Sequence, residues 1–282
     1  MPYFREEDIK TRNKSWADEA HDILILAIQT LDEECFKQIQ NDKTPLGNLR
    51  HRLDLILNSD HWADKRTKEE NQRLYNYHGD KMLKKQASKI TGGLSAPGKM
   101  PEGSYNLPAS ACQTGAKLAL IPGTPCHGCY ALKGRYRFPN VKDALARRLA
   151  SLKHPDWVPA MVALIQGIKH FRWHDSGDVQ SAWHLQQIFK VCELTPDTMH
   201  WLPTQERKYL PLPGSTIPPN LVIRLSNAKN DSLPGNAWTH WSTVVTEPRA
   251  GHVCPAPDQG GKCMSCRACW SKDVKEIQYR KH

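Results

Sequence analysis

The 282-residue sequence has no apolar run approaching 18 residues, so no segment reads as a membrane-spanning helix. Its first residues, MPYFREEDIK, lack the apolar core of a secretory signal. There is no Walker phosphate loop, no dinucleotide-binding glycine fingerprint and no HExxH pair. Those absences argue against a P-loop nucleotidase, a Rossmann dehydrogenase and a zincin-type hydrolase. Acidic residues are also short, 29 against 39 Lys and Arg, which leaves a net charge of +10. The excess favours a polyanionic partner, nucleic acid first, or an anionic cofactor. A cytoplasmic location without a membrane partner is the expectation, and thiols stay reduced there. An odd count of nine cysteines also argues against a purely disulfide framework.

What the sequence does have is cysteine in two tight sets. Cys112, Cys126 and Cys129 have the spacing Cys-x13-Cys-x2-Cys, and Cys254, Cys263, Cys266 and Cys269 have Cys-x8-Cys-x2-Cys-x2-Cys. Such clustering in a reducing compartment points to metal. Four thiolates close a site. Three hold an iron–sulfur cluster and leave one iron open. A shared middle cysteine in CxxCxxC suits a cuboidal 4Fe–4S cluster better than the two CxxC knuckles of an all-cysteine zinc site. Zinc remains the alternative metal, with a knuckle in the first set completed by His174 or His252. One cluster sharing ligands from both sets and two separate clusters are both compatible with the count. Cys35 and Cys192 read as small core residues.

The expected organisation is a helical region over residues 1–92 and an α/β domain over 93–282. Apolar positions at three- and four-residue steps predict helices over 16–40 and 46–59, and a charged third stretch covers 65–86. Residues 91–110, rich in Gly, Pro and Ser, read as a linker or irregular loop. Strands follow at 170–174, 200–204, 220–225 and 241–246, with helices around 141–152, 157–168 and 181–194. That alternation implies a parallel sheet and a (β/α) barrel or partial barrel, TIM-like.

Each predicted strand ends in polar residues, where α/β folds place their sites. His174, Asp175, Asp178, Glu206 and Arg207 are the catalytic candidates. Tyr130, Lys133 and Arg135, just past Cys129, and Ser176 and Arg224 at the strand ends are the cofactor-binding candidates. The turn His174–Asp178 has a plainer use, because an aspartate there would cap the next helix. His170 and His174 on one strand stand about 13 Å apart, too far to share an ion. Trp173, Trp201, Trp238 and Trp241 read as core in preference to a base-stacking platform.

The segments PGTPCHGCYALKGRYRFPN, FRWHDSGDVQS, HWLPTQER and CMSCRACW resemble a phage family called gene product 88, over roughly residues 94–270. CxxCYA ahead of the strands is also similar to the cluster loop of radical S-adenosylmethionine (SAM) enzymes. There the usual spacing is CxxxCxxC, and here thirteen residues replace the first three. The resemblance implies a phage-encoded protein in the host cytoplasm with a radical-SAM-like barrel. It further implies cluster ligation by Cys112, Cys126 and Cys129, with His174, Asp175 and Asp178 beside a cofactor. The alternative expectation is a non-catalytic or redox-sensing metal protein that binds nucleic acid.

Overall fold

The computed structural model describes residues 82–211, 215–233 and 238–281. The chain divides into two compact units at Lys65 and Arg66, and every described residue belongs to the second. The helices expected over 16–40 and 46–59, with Cys35, lie outside the described residues, as does most of 65–86.

The described residues form one seven-stranded sheet in which every pairing is parallel. The strands are β1 (Ser104–Tyr105), β2 (His170–Trp173), β3 (Met199–Thr204), β4 (Leu221–Ser226), β5 (Trp241–Val245), β6 (His252–Val253) and β7 (Glu276–Arg280). Their spatial order is β1-β2-β3-β4-β5-β7-β6. The helices are α1 (Lys84–Thr91), α2 (Thr114–Leu118), α3 (Pro139–Ser151), α4 (Trp157–Ile165) and α5 (Ala182–Leu194).

The α/β reading with parallel strands holds, and the four predicted strands are β2 to β5. Closure does not hold: β1 and β6 are edges that do not pair with each other, so among the described residues the sheet is open and is not a TIM barrel. Two reasons are visible. Both edge strands have only two residues, too short a ladder to bridge a barrel seam. Among the described residues, helices cross over only from β1 to β2 and from β2 to β3, so no outer ring of helices surrounds the strands.

Of the two readings of 91–110, the irregular loop holds and the linker does not, because the segment is tied into the fold. It contains β1, an antiparallel bridge between Ser95 and Ser104, and the buried Met100. Glu102 fixes it from the side, accepting the amide hydrogens of Lys169 at 2.6 Å and His170 at 2.7 Å. Tyr105 then donates its hydroxyl to the Thr91 carbonyl at 2.7 Å, which ties β1 to the end of α1. The Gly, Pro and Ser content had hidden a two-residue strand that pairs with β2 on one side and bridges back to Ser95 on the other.

The period-two alternation of strands assigns the two faces of the sheet. Phe171, Trp173, His200 and Leu202 face α4 and α5, where Trp157 meets Trp173 at 6.1 Å between centroids. α1 packs on α4 through small residues, Ala87 against Ala160 and Ala163. Arg172, Trp201 and Arg224 face the other way, and the C-terminal cysteine segment covers them. Trp270 lies edge-on to Trp201 at 5.3 Å and donates its indole N–H to the Phe171 carbonyl at 2.9 Å. Trp173 and Trp201 are core, as read, and Trp238 and Trp241 are half-buried.

Candidate metal centres

The thirteen-residue gap between Cys112 and Cys126 is a local excursion that returns to its starting point. Glu206, at the end of β3, accepts the amide hydrogens of Gln113 at 2.9 Å and Thr114 at 2.7 Å, and the Thr114 hydroxyl at 2.6 Å. That anchors the start of α2 directly after Cys112. The Thr124 hydroxyl donates to the Leu118 carbonyl at 2.7 Å and turns the chain back. Cys126 and Cys129 follow in one turn, with the Cys129 N–H on the Cys126 carbonyl at 3.1 Å. Gly115 marks the convergence. A Cβ on it would lie 3.6 Å from Cys126 Sγ and 3.7 Å from Cys112 Sγ.

Electrostatics agrees with that geometry. Burial, and then Asp178, Cys126, Cys129 and Glu206, push the Cys112 thiol far above its ordinary range. Burial, with Cys129, Asp178 and Glu206, pushes Cys126 up to about 11. Asp178 is pushed up to about 7 by burial, although it accepts from Val179 N–H, the Thr204 hydroxyl and Gln205 N–H. Three thiols and two carboxyls thus crowd one place. A cation bound there would relieve the repulsion and release thiol protons.

Past Cys129, the exposed Tyr130 donates its hydroxyl to the Asp175 carbonyl. Tyr136 donates to Asp175 Oδ2 at 2.7 Å, and Arg172 pairs with Oδ1 at 3.1 Å. Lys133 Nζ lies 3.3 Å from where a Cβ on Gly128 would stand, over the turn between Cys126 and Cys129. Arg135 is exposed. His174 is buried with a left-handed backbone (φ 56°), and neither ring nitrogen has a partner. Its ring stands 5.4 Å from that of His184, and burial keeps it neutral.

Other candidates have structural partners. Ser176 donates its hydroxyl to the Leu107 carbonyl at 2.9 Å. The cap of α5 is Ser181, which accepts from His184 N–H at 3.0 Å, so neither aspartate of the turn caps that helix. Arg207 reaches the Ser226 carbonyl at 3.3 Å. The buried guanidinium of Arg224 donates to the carbonyls of Ala268, Cys269, Ser271 and Lys275 at 2.8–3.2 Å. It clamps the second cysteine loop to the sheet.

That second loop lines one cavity. Cys254, Cys263, Cys266 and Cys269 surround it, with His252, Trp270 and Ile277. Met264 takes a left-handed φ of 45°, which curls the CxxCxxC run. Cys266 Sγ lies 3.6 Å from His252 Nε2, and Cys269 Sγ lies 3.5 Å from the Tyr279 hydroxyl. Burial pushes Cys269 up to about 11, opposed by Tyr279 and Arg224. His252 therefore neighbours the second set, and Cys192 is core on α5. Sequence reasoning missed Tyr279, Arg172 and Gln113. Tyr279 sits on β7, a strand whose charged, polar residues gave no apolar signal.

The eight described cysteines are free thiols. Among the described residues no three His, Cys, Asp or Glu side chains are placed to hold a single metal ion. One tetrahedral zinc would need sulfurs about 3.8 Å apart. Thiolates on a cuboidal cluster stand wider, since each binds a different iron.

The model of the gene product 88 family matches residues 72–272, more than two-thirds of the sequence. The chain belongs to the gene product 88 family. Both cysteine sets and strands β1 to β6 lie within the matched span of this phage family, and β7 lies just beyond it. No curated protein and no solved structure matches the chain.

Proposed function

We propose that this gene product 88 protein is an iron–sulfur protein of the radical-SAM type. Cys112, Cys126 and Cys129 hold a 4Fe–4S cluster with an open iron, and the C-terminal four cysteines hold a second, fully ligated one. The observation that carries the reading is the convergence of Cys112 with Cys126 and Cys129 at the carboxyl ends of β1 to β3, despite their spacing in sequence. When bound, the open cluster would supply one electron at an iron free to take SAM.

The chain's own residues have definite parts in this reading. Glu206 fixes Cys112 through the start of α2. Asp178 joins the ends of β2 and β3 beneath the thiols, through Thr204 and Gln205. Tyr130 directly follows Cys129, and its hydroxyl is held by the Asp175 carbonyl. Arg224 and Tyr279 fix the second loop.

Anaerobically purified protein is the material for the test. About eight irons and eight sulfides per chain would support two clusters. Reduced protein given SAM would then yield methionine and 5′-deoxyadenosine, with a SAM-dependent change in the cluster's EPR signal. Iron without either product would leave the iron–sulfur reading and remove the radical-SAM part. Colourless protein containing zinc and no iron would remove both.

A further inference from the structure

The segment that carries the first cysteine set also carries most of the chain's excess charge. Residues 112–153 contain eight Lys and Arg against one acidic residue, Asp143. Lys117, Lys133, Arg135, Arg137 and Lys142 are exposed, and none of their side chains has a hydrogen-bond or ion-pair partner among the described residues. Ordinary surface cations are solvated in the same way, so charge alone would not distinguish a partner. A second observation does. Large apolar side chains stand exposed between these cations: Leu120 at 84%, Tyr130 at 58% and Phe138 at 55%. Tyr130 and Tyr136 meet edge to face at 5.9 Å. Rings interleaved with unpaired cations on short turns match what a flexible, base-bearing polyanion recognises.

We infer that this surface binds single-stranded nucleic acid and presents a nucleotide to the three-cysteine site. The substrate class rests on the functional reading above, whereas the binding itself does not. Three features favour a nucleic-acid strand over other polyanions. The aromatic faces offer stacking, which an acidic protein surface does not require. The cations are spread over α2 (Lys117), the 3₁₀ turn Gly134–Arg137 with Lys133 just before it, and the start of α3 (Lys142), not along one long amphipathic helix of the kind that lies in a bilayer surface. The Lys133 amine also hangs over the turn between Cys126 and Cys129, so the charge continues to the mouth of the site. A threaded strand can enter such a mouth, and a flat lipid surface cannot.

The test is fluorescence anisotropy of the full chain with labelled 20-nucleotide single-stranded RNA and DNA, alongside anionic phosphatidylserine vesicles. If all five cations meet phosphates, the slope of log K against log salt is about −3.5, roughly a hundredfold loss from 50 to 200 mM salt. Arg135→Glu with Arg137→Glu should weaken binding at least about tenfold and flatten the slope by about 1.4. Phe138→Ala should weaken it about fivefold or more with the slope unchanged. Lys84→Glu with Lys85→Glu, exposed on α1, should leave binding intact. The proposal is overturned by no binding at low salt, by equal binding of the Arg135/Arg137 variant, or by binding to vesicles but not to oligonucleotides. Iron and sulfide are counted on the same preparations. Binding without iron would spare this inference and sink the cluster reading, and iron without binding would do the reverse.

Discussion

Gly177 and Arg224 show how much of the candidate centres depends on single side chains. Gly177 has a φ of 74°, and a Cβ there would meet Leu107 Cβ at 2.6 Å and the Leu107 carbonyl oxygen at 2.7 Å. Gly177→Ala should therefore destabilise the fold by about 2–4 kcal/mol in denaturant titration, and a loss under about 0.5 kcal/mol would contradict the close approach. The residue types of the site were legible in the sequence, and their roles were not. Cysteines announce themselves by spacing, because only ligation or pairing favours CxxCxxC. Arg224 gave no such sign, since an arginine that binds a cofactor and one that binds four carbonyls look alike in one dimension. Likewise Glu206 stood out as a strand-end carboxylate, but its use in fixing the amides after Cys112 depends on β3 lying beside α2.

Among the elements, the C-terminal loop is the least self-sufficient. It has no helix or strand of its own between His252–Val253 and Glu276–Arg280 beyond two short 3₁₀ turns. Arg224 and Trp270 hold it to the sheet face. Arg224→Met removes donors from four carbonyls in a buried place, and each orphaned acceptor is costly. The variant should lose about 3–5 kcal/mol of stability, with protease cleaving first within 263–272. Unchanged stability would show that the loop is held by other means. The strands β2 to β5 were readable because β-branched and aromatic residues fall between turn signals. β1, β6 and β7 were not, for different reasons. The two edge strands have two residues each, and β7 alternates Glu, Gln and Arg with Ile and Tyr. Missing the two edges is also why closure looked attainable from sequence, since barrel or open sheet is decided by what the edge strands pair with.

For the molecule as a whole, buried histidines set the acid limit of stability. Burial holds both His184 and His200 down to about 3. The Thr195 hydroxyl donates to the Val191 carbonyl and so receives the His200 Nε2 proton, which fixes the neutral tautomer. Unfolded, each ring takes a proton near pH 6.5. The unfolded chain therefore binds more protons below that value, and folding weakens as pH falls from about 6.5 towards 3. Each histidine should cost about 2 kcal/mol by pH 5, and His200→Gln should flatten that slope between pH 7 and 5. An unchanged slope would place the acid sensitivity elsewhere. The central claim is that the two cysteine sets are two separate iron–sulfur centres. The most direct measurement is iron and acid-labile sulfide per chain after anaerobic purification, for the wild type, Cys126→Ala and Cys266→Ala. Two separate centres give about eight irons for the wild type and about four for each variant. Four irons in the wild type with none in either variant would mean one shared cluster. An iron-free wild type would mean that neither cysteine set holds an iron–sulfur cluster.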